Sequence, residues 1–558
     1  MHPLKPWLEL MLQDRKRLLI GAALLFATYL SAIGLLALSG WFITATGVTA
    51  LAWAAGIAIS LDIYGPGGGI RFFALSRTVS RYAERVYNHD TVLRLLASLR
   101  TRLFKNLTLL DDQTASKYRA SQWLNRLITD VDTLDNLYLR LLAPPLVALL
   151  TVIVLVGFLA FFHAQLAGLA ALVLLVTLVI CTWGMAQAGK ATSYRLVSQQ
   201  EQQRSLLVEQ IEGLGELQAS HSLASHQQRL LSAQQREMQD QWRLQRIAAF
   251  GDSLQTLLIQ TTAVICLLLA AEAYQSGLLS APMMVAAPLS LMALQEVFLN
   301  LPNSFSSWGA TLAAAHRLNM TEALQPGLVT TDTPSLLPPS YDLNWQNITV
   351  KLGNQIIFKN FNLSLKAGEK LAVIGESGLG KSTLARLAAR LADPQAGTML
   401  LTHEATETNL KNLDVYHWQA QIGYLTQQTD LFATSIAENL RIGNQNASDE
   451  ELWQALELVD LKQEVLNFPN QLDTWVGETG RQLSGGQGRR LALARVILKD
   501  PALVILDEPF SNLDKATQAS IRPKLSAWLN DRSALLLAHD LSTLPQSDRH
   551  IHLKSMNE

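Results

Sequence analysis

Over its first half the chain alternates long apolar stretches with long charged ones, and then it changes character. The first apolar stretch, Leu18–Leu38, follows a cluster of cations, Lys5, Arg15, Lys16 and Arg17. It carries almost no charge and is long enough to cross a bilayer, for which roughly 20 residues suffice. A secretory leader has a shorter apolar core and a small-residue cleavage site. Comparable stretches follow at Val48–Phe73, Leu141–Phe162, Leu166–Trp183, Leu254–Ala271 and Pro282–Leu301, which predicts about six spans. Asp62 and Pro66-Gly67-Gly68-Gly69 interrupt the second of them. An even number of crossings returns the chain to its starting side, and the leading cations put that side in the cytoplasm.

Between the second and third spans, and again between the fourth and fifth, polar segments keep helical periodicity with little proline or glycine to stop them. At about 1.5 Å per residue, such helices project tens of Å beyond the membrane and return. Leu110–Tyr118 and Glu209–Leu217 lie near the turning points and are candidates for touching a cytoplasmic domain. The plainer alternative is a solvated, charge-laced helix pair. Residues 325–342 hold Pro326, Pro334, Pro338 and Pro339 and mark a linker. From Leu343 onward short β-rich runs alternate with helices, the pattern of an α/β nucleotide-binding fold. The expected organisation is a helical membrane domain over 1–324, a linker over 325–342 and an α/β domain over 343–558.

Composition supports the membrane assignment, since 49% of the 558 residues are apolar, high for a soluble ATPase. The 45 Lys and Arg nearly balance the 46 Asp and Glu, so no global field points to nucleic acid. Both cysteines, Cys181 and Cys266, sit inside apolar runs, which argues against a disulfide framework or a zinc site.

The chemistry is concentrated in the second half. Gly375-Glu376-Ser377-Gly378-Leu379-Gly380-Lys381-Ser382-Thr383 follows the apolar run Leu371–Ile374 and precedes a helix-like segment. This is a phosphate-binding loop in its strand-to-helix setting: inward-facing N–H groups and a helix N-terminus hold phosphates, Lys381 reaches the β and γ phosphates, and Ser382 joins the Mg²⁺ shell. Leu503–Leu506 is a buried-strand pattern ending in Asp507 and Glu508. Asp507 suits Mg²⁺ binding, and Glu508 suits orienting and deprotonating an attacking water. Leu483-Ser484-Gly485-Gly486-Gln487 opens a further helix, and its bare amides and helix dipole make a second phosphate clamp. One chain does not comfortably apply both clamps to one nucleotide.

These motifs, in this order with Gln427, the Ser511-Asn512-Leu513-Asp514 turn and His539, resemble the ATP-binding cassette (ABC) family over the whole chain. The resemblance implies an exporter-type membrane domain of six helices with long cytoplasmic extensions, fused to an α/β phosphate-loop cassette that uses ATP and Mg²⁺. It further implies that two cassettes face each other, each ATP held by one phosphate loop and by Ser484–Gln487 of the opposite cassette. Gln427 is then a contact to metal and membrane domain, and His539 the switch histidine at the γ-phosphate. The chain departs from the family at Leu352, where adenine often stacks on an aromatic; Trp345 is nearby but wrongly spaced. That departure weakens the stacking contribution to affinity rather than hydrolysis.

In the membrane half, Ser39-Gly40-Trp41-Phe42, Arg77-Thr78, Arg81-Tyr82, Glu84-Arg85, His89-Asp90, Leu124-Asn125-Arg126, Asp130–Asp135 and Leu137–Arg140 resemble the bacterial CydDC exporters. That likeness implies a heterodimer with a CydD-like half in the inner membrane, export of glutathione and cysteine, and support of cytochrome bd assembly. Haem transport is the alternative, and a lipid or peptide flippase or an ATP-driven assembly factor are others. Arg77, Arg81, Arg85 and His89 recur every four residues, with Arg71 above them, and so form one helical stripe. Facing a cavity, the stripe would take a carboxylate-bearing solute, either a thiol peptide or haem with His89 as axial ligand. Alternatively it marks where the second span leaves the inner leaflet, with Glu84 partly neutralising it.

Overall fold

The computed structural model describes residues 2–110, 112–115, 118–324, 328, 340–353, 355–404, 406–428, 430–477 and 482–553. Most of the expected linker, with Pro326, Pro334, Pro338 and Pro339, lies outside the described residues, as do Asp111, Ser116 and Lys117 of the Leu110–Tyr118 stretch. The backbone divides into a helical unit and an α/β unit.

The helical unit opens with α1 (Lys5–Met11), whose Trp7 and Met11 are buried, and then runs as α2 (Arg15–Ala54) and α3 (Tyr64–Thr108). The stretch Val48–Phe73 is therefore not one span: α2 ends at Ala54, and α3 starts nine residues after it leaves off. The cause is local. The Asp62 carboxylate accepts from the N–H groups of Tyr64 (2.9 Å) and Gly65 (3.4 Å) and starts α3. Pro66 then lies in the first turn, where its missing N–H costs nothing. Next come α4 (Ala143–Phe162), α5 (Ala164–Val179), α6 (Met185–Glu212) and α7 (Leu223–Gln275). The last apolar stretch is broken into α8 (Ala281–Ala293), α9 (Gln295–Phe298) and α10 (Leu301–Ser306), followed by α11 (Trp308–Glu322).

Among the described residues, five helical stretches are long and apolar enough to cross a membrane: Lys5–Ala54, Ala120–Phe162, Ala164–Glu212, Leu223–Gln275 and Ala281–Ser306. The charged α3 is the sixth long pass and does not meet that apolar measure. At 53 residues, α7 extends about 80 Å, far beyond a hydrocarbon thickness of about 30 Å. Leu155 and Leu159 of α4, Leu174 of α5, and Ile259, Ala263, Cys266 and Ala270 of α7 interlock at helical spacing in one core. Both cysteines are buried within it as small apolar groups. Small residues let the helices approach closely: a methyl built on Gly189 would sit 2.1 Å from the Ser306 carbonyl oxygen.

Two sheets build the α/β unit. An antiparallel sheet has the order β2-β1-β4-β5, with β1 (Asp342–Leu352), β2 (Gln355–Leu365), β4 (Ala396–His403) and β5 (Thr406–Asn409). The parallel sheet has the order β6-β7-β8-β3-β9, with β3 (Lys370–Ile374), β6 (Ile422–Leu425), β7 (Leu503–Asp507), β8 (Ser533–Ala538) and β9 (Arg549–His552). Its strands are near-continuous apolar runs because both faces are covered; Leu371, Val504, Ile505 and Leu536 are fully buried. Helices α12 (Lys381–Ala388), α13 (Gly485–Leu498) and α14 (Lys515–Trp528) accompany it.

Candidate functional site

Register assembles the nucleotide chemistry. Ile374 pairs with Ala538 across β3 and β8, and Asp507 pairs with Leu537 across β7 and β8. The carboxyl ends of three adjacent parallel strands therefore finish level, and each is followed at once by a functional stretch: the phosphate loop, Glu508 and His539. This is the edge where open α/β sheets bind ligands.

The loop needs its glycines. Gly378 and Gly380 have φ of +86° and +95°, and a methyl on Gly380 would lie 2.5 Å from Ile357 and 2.8 Å from Phe358. Gly380 caps α12, so the N–H groups of Lys381, Ser382 and the half-buried Thr383 face the loop. Lys381 Nζ donates to the carbonyls of Gly375 (2.6 Å) and Glu376 (2.9 Å). Burial lowers its pKa, against the pull of Glu508 and Asp507. Leu379 is the apolar member of the loop, packed on the core that contains Leu371 and Val373.

Ser382 Oγ donates to Asp507 Oδ2 at 2.6 Å. Burial pushes the Asp507 carboxyl above the usual range, the Ser382 bond opposes this and Glu508 adds to it. Two hard oxygens in contact, one of them on a buried carboxylate, form a donor set that fits Mg²⁺. Glu508 lies 3.0 Å from His539 Nε2, and Ser377 Oγ is 3.4 Å from the same nitrogen. Glu508 adopts φ of +54°, uncommon for a residue with a Cβ. Its N–H donates to Leu537 O at 2.8 Å and its carbonyl accepts from Arg489 Nη2 at 3.0 Å.

Arg489, in α13, is a residue whose role sequence reasoning missed. Its buried guanidinium donates to four carbonyls, those of Thr426, Gln427, Asp507 and Glu508. It thereby ties the loop after β6 and the end of β7 to the helix that Ser484–Gln487 starts. Ser484 caps that helix in a reciprocal box: Gln487 N donates to Ser484 Oγ (3.2 Å) and Ser484 N to Gln487 Oε1 (2.9 Å). Gly485 faces Asn512, and a methyl on Gly486 would meet the Asn512 carbonyl oxygen at 2.8 Å. Gln427 is exposed and is held through its own carbonyl. Leu352 is 40% exposed at the end of β1, whereas Trp345 is 1% exposed and belongs to the core.

In the helical unit the arginine stripe does not act as one set. Arg77 Nη2 and Arg81 Nη1 each bond one oxygen of Glu296, at 2.8 and 2.9 Å. The neutralising acid is thus Glu296 on α9 and not Glu84, which accepts from Asn88 at 2.7 Å. Arg81 and Arg85 line a cavity of about 530 Å³ together with Arg140, Glu296 and Asn300. Arg71, Arg77 and His89 are not among its lining residues; Arg71 and His89 are exposed. Glu296 had a visible signal, being the lone charged residue in Pro282–Leu301. Among the described residues, no group of three or more His, Cys, Asp or Glu side chains is arranged to hold a metal ion.

Comparison with known proteins agrees with this geometry. Residues 358–511 match the family described as "ABC transporter", and residues 18–298 match the "ABC transporter transmembrane region". The chain is 33% identical over 551 residues to the glutathione/L-cysteine transport system ATP-binding/permease protein CydC of Escherichia coli K12, covering 98% of this chain and 94% of that one. It is 29% identical to the protein of the same name from Haemophilus influenzae, covering 98% and 94%. It is also 30% identical to the corresponding CydD of Bacillus subtilis, covering 89% and 86%. In fold it is similar to a bacterial Atm1-family ABC exporter solved with ATP bound, with a TM-score of 0.83 at 20% identity and coverage of 97% and 94%.

Proposed function

We propose, from the premise that this chain belongs to the ABC transporter family and within it to the CydC-like exporters, that it is one half of an ATP-driven exporter of glutathione and cysteine. It is a multi-pass membrane protein that hydrolyses ATP with Mg²⁺, and on this reading a CydD-like half completes it. The reading places it in the bacterial inner membrane, with the N-terminus and the cassette (343–558, after a linker over 325–342) in the cytoplasm, supporting cytochrome bd assembly.

The cavity carries the cargo reading: Arg81, Arg85 and Arg140 line a partly open volume among the helices of the membrane domain. Cations lining a cavity in a membrane domain suit a solute pathway, and arginine forks suit carboxylates. Haem, the second reading, draws support from the same arginines as partners for propionates, but its expected ligand His89 does not line that cavity.

In the cassette, loop amides and Lys381 hold the phosphates, and Ser382, Asp507 and Gln427 would hold the metal. When bound, Mg²⁺ neutralises charge on the β and γ oxygens. Glu508 orients the attacking water and takes its proton, while His539 and Ser377 hold the Glu508 side of the site. Ser484, Gly485, Gly486 and Gln487 clamp the nucleotide of the opposite cassette.

The test is ATP hydrolysis by the reconstituted heterodimer, titrated separately with reduced glutathione, cysteine and haem. Saturable stimulation by the thiols, lost in Arg85→Ala, is expected. Stimulation by haem alone, lost in His89→Ala, would replace this reading with the haem one. A response to neither would return the cargo question to lipid flipping or to an assembly role.

A further inference from the structure

The last membrane pass is interrupted beside the charged cavity, and the interruption is chemically unusual. Two adjacent residues at the start of α9 bond to different neighbouring helices. Gln295 accepts from Gln260 of α7 at 2.8 Å and donates to Thr256 of the same helix at 3.4 Å. Glu296 holds Arg77 and Arg81 of α3, one on each oxygen. The Glu296 side chain is 27% exposed and lines the cavity. Arg85 and Arg140 line the same cavity, and neither makes a hydrogen bond or ion pair with another described side chain.

The cavity thus offers two kinds of group. Arg85 and Arg140 bring guanidinium donors to spare. Glu296 brings a carboxylate, the one acceptor acid in a cluster with Arg77 and Arg81. A carboxylate oxygen accepts more than one hydrogen bond, so Glu296 is able to receive an ammonium while its arginines stay in place. A simple dianion gains nothing from the Glu296 carboxylate, whereas a molecule with both charges uses the carboxylate and the free guanidinium groups together. A cavity acid that bonds one partner and offers nothing to another is a selectivity device.

Building on the exporter reading above, we infer that Glu296 is a specificity-determining residue that recognises the α-ammonium group of the cargo, so that the cavity selects zwitterionic, amino-acid-bearing solutes over plain anions of similar size. The solute carboxylate goes to Arg85 and Arg140, and its ammonium goes to Glu296. Blocking the amine by acylation removes the charge and the donors that Glu296 recognises.

The experiment compares cysteine with N-acetylcysteine as stimulators of ATP hydrolysis by the full heterodimer in proteoliposomes, as the ratio of their half-saturating concentrations. The wild type is expected to favour the free amine by about tenfold or more, the factor supplied by one charge-assisted hydrogen bond. Glu296→Gln should bring the ratio close to one, and Glu296→Asp should keep most of it. An unchanged ratio in Glu296→Gln overturns the inference while leaving the thiol reading in place. A wild-type ratio near one overturns it with no variant needed. Stimulation of the wild type by neither thiol removes the exporter reading, and the inference with it.

Discussion

Glu508 occupies a left-handed backbone conformation that costs of order 1–3 kcal/mol, and three contacts hold it there: Leu537 through its N–H, Arg489 through its carbonyl and His539 through its carboxylate. Its side chain is therefore aimed rather than free. With Glu508 as the base, as proposed, Glu508→Gln keeps the shape and should lower hydrolysis by about 10²–10⁴-fold while ATP still binds. Single-turnover hydrolysis alongside ATP retention in the heterodimer checks this; turnover unchanged at this site would remove Glu508 as the base. Asp507 gives a pH dependence. Because burial raises its pKa, the carboxylate that Mg²⁺ needs is lost on acidification earlier than for an ordinary aspartate. The sign for stability is opposite: a raised carboxyl pKa favours the metal-free fold at low pH, and that contribution fades as pH rises through the raised value. With Asp507 holding Mg²⁺, as proposed, Mg²⁺-dependent ATP affinity should fall on acidification at a higher pH than an ordinary aspartate would give, and Asp507→Asn should flatten that profile.

At the scale of elements, local signals were readable and distant pairings were not. The phosphate loop and the strand before Asp507 were legible because their chemistry lies in consecutive residues, with glycines where φ is positive and apolar runs where both faces are covered. The start of α3 was misread as an interruption of one span, because Asp62 and Pro66 look like breakers until the capping bonds show them beginning a helix. Glu296 stood out as a lone acid, yet its partners lie 219 and 215 positions away, and no local pattern encodes such a contact. The same holds for Asp130 and Arg317, a pair 187 positions apart that joins the segment before α4 to α11. Asp130 is 1% exposed, and breaking a buried pair on one side strands a charge. Asp130→Ala should destabilise the folded chain by about 3–5 kcal/mol, visible as a lowered unfolding midpoint in detergent. A midpoint unmoved by the change would show the pair to be dispensable.

For the whole molecule, the proposed pairing of each phosphate loop with the opposite cassette's Ser484–Gln487 clamp would set the unit of function. If Ser484–Gln487 completes the opposite cassette's site, as proposed, the chain purified alone should hydrolyse ATP far below the rate of the complete exporter, and adding the second half should restore it. Equal rates per cassette would contradict that division. Ser484→Arg should abolish turnover at the partner's nucleotide while this chain's own site still binds ATP, as separate photolabelling of the two halves would register. Arg489 gives that arrangement a link. It is rooted in the helix that Ser484–Gln487 starts, and its guanidinium grips the carbonyls of Gln427, Asp507 and Glu508. On the proposed pairing, a shift of that helix would be carried by Arg489 to the carbonyls of Asp507 and Glu508, which couples the two halves through one side chain.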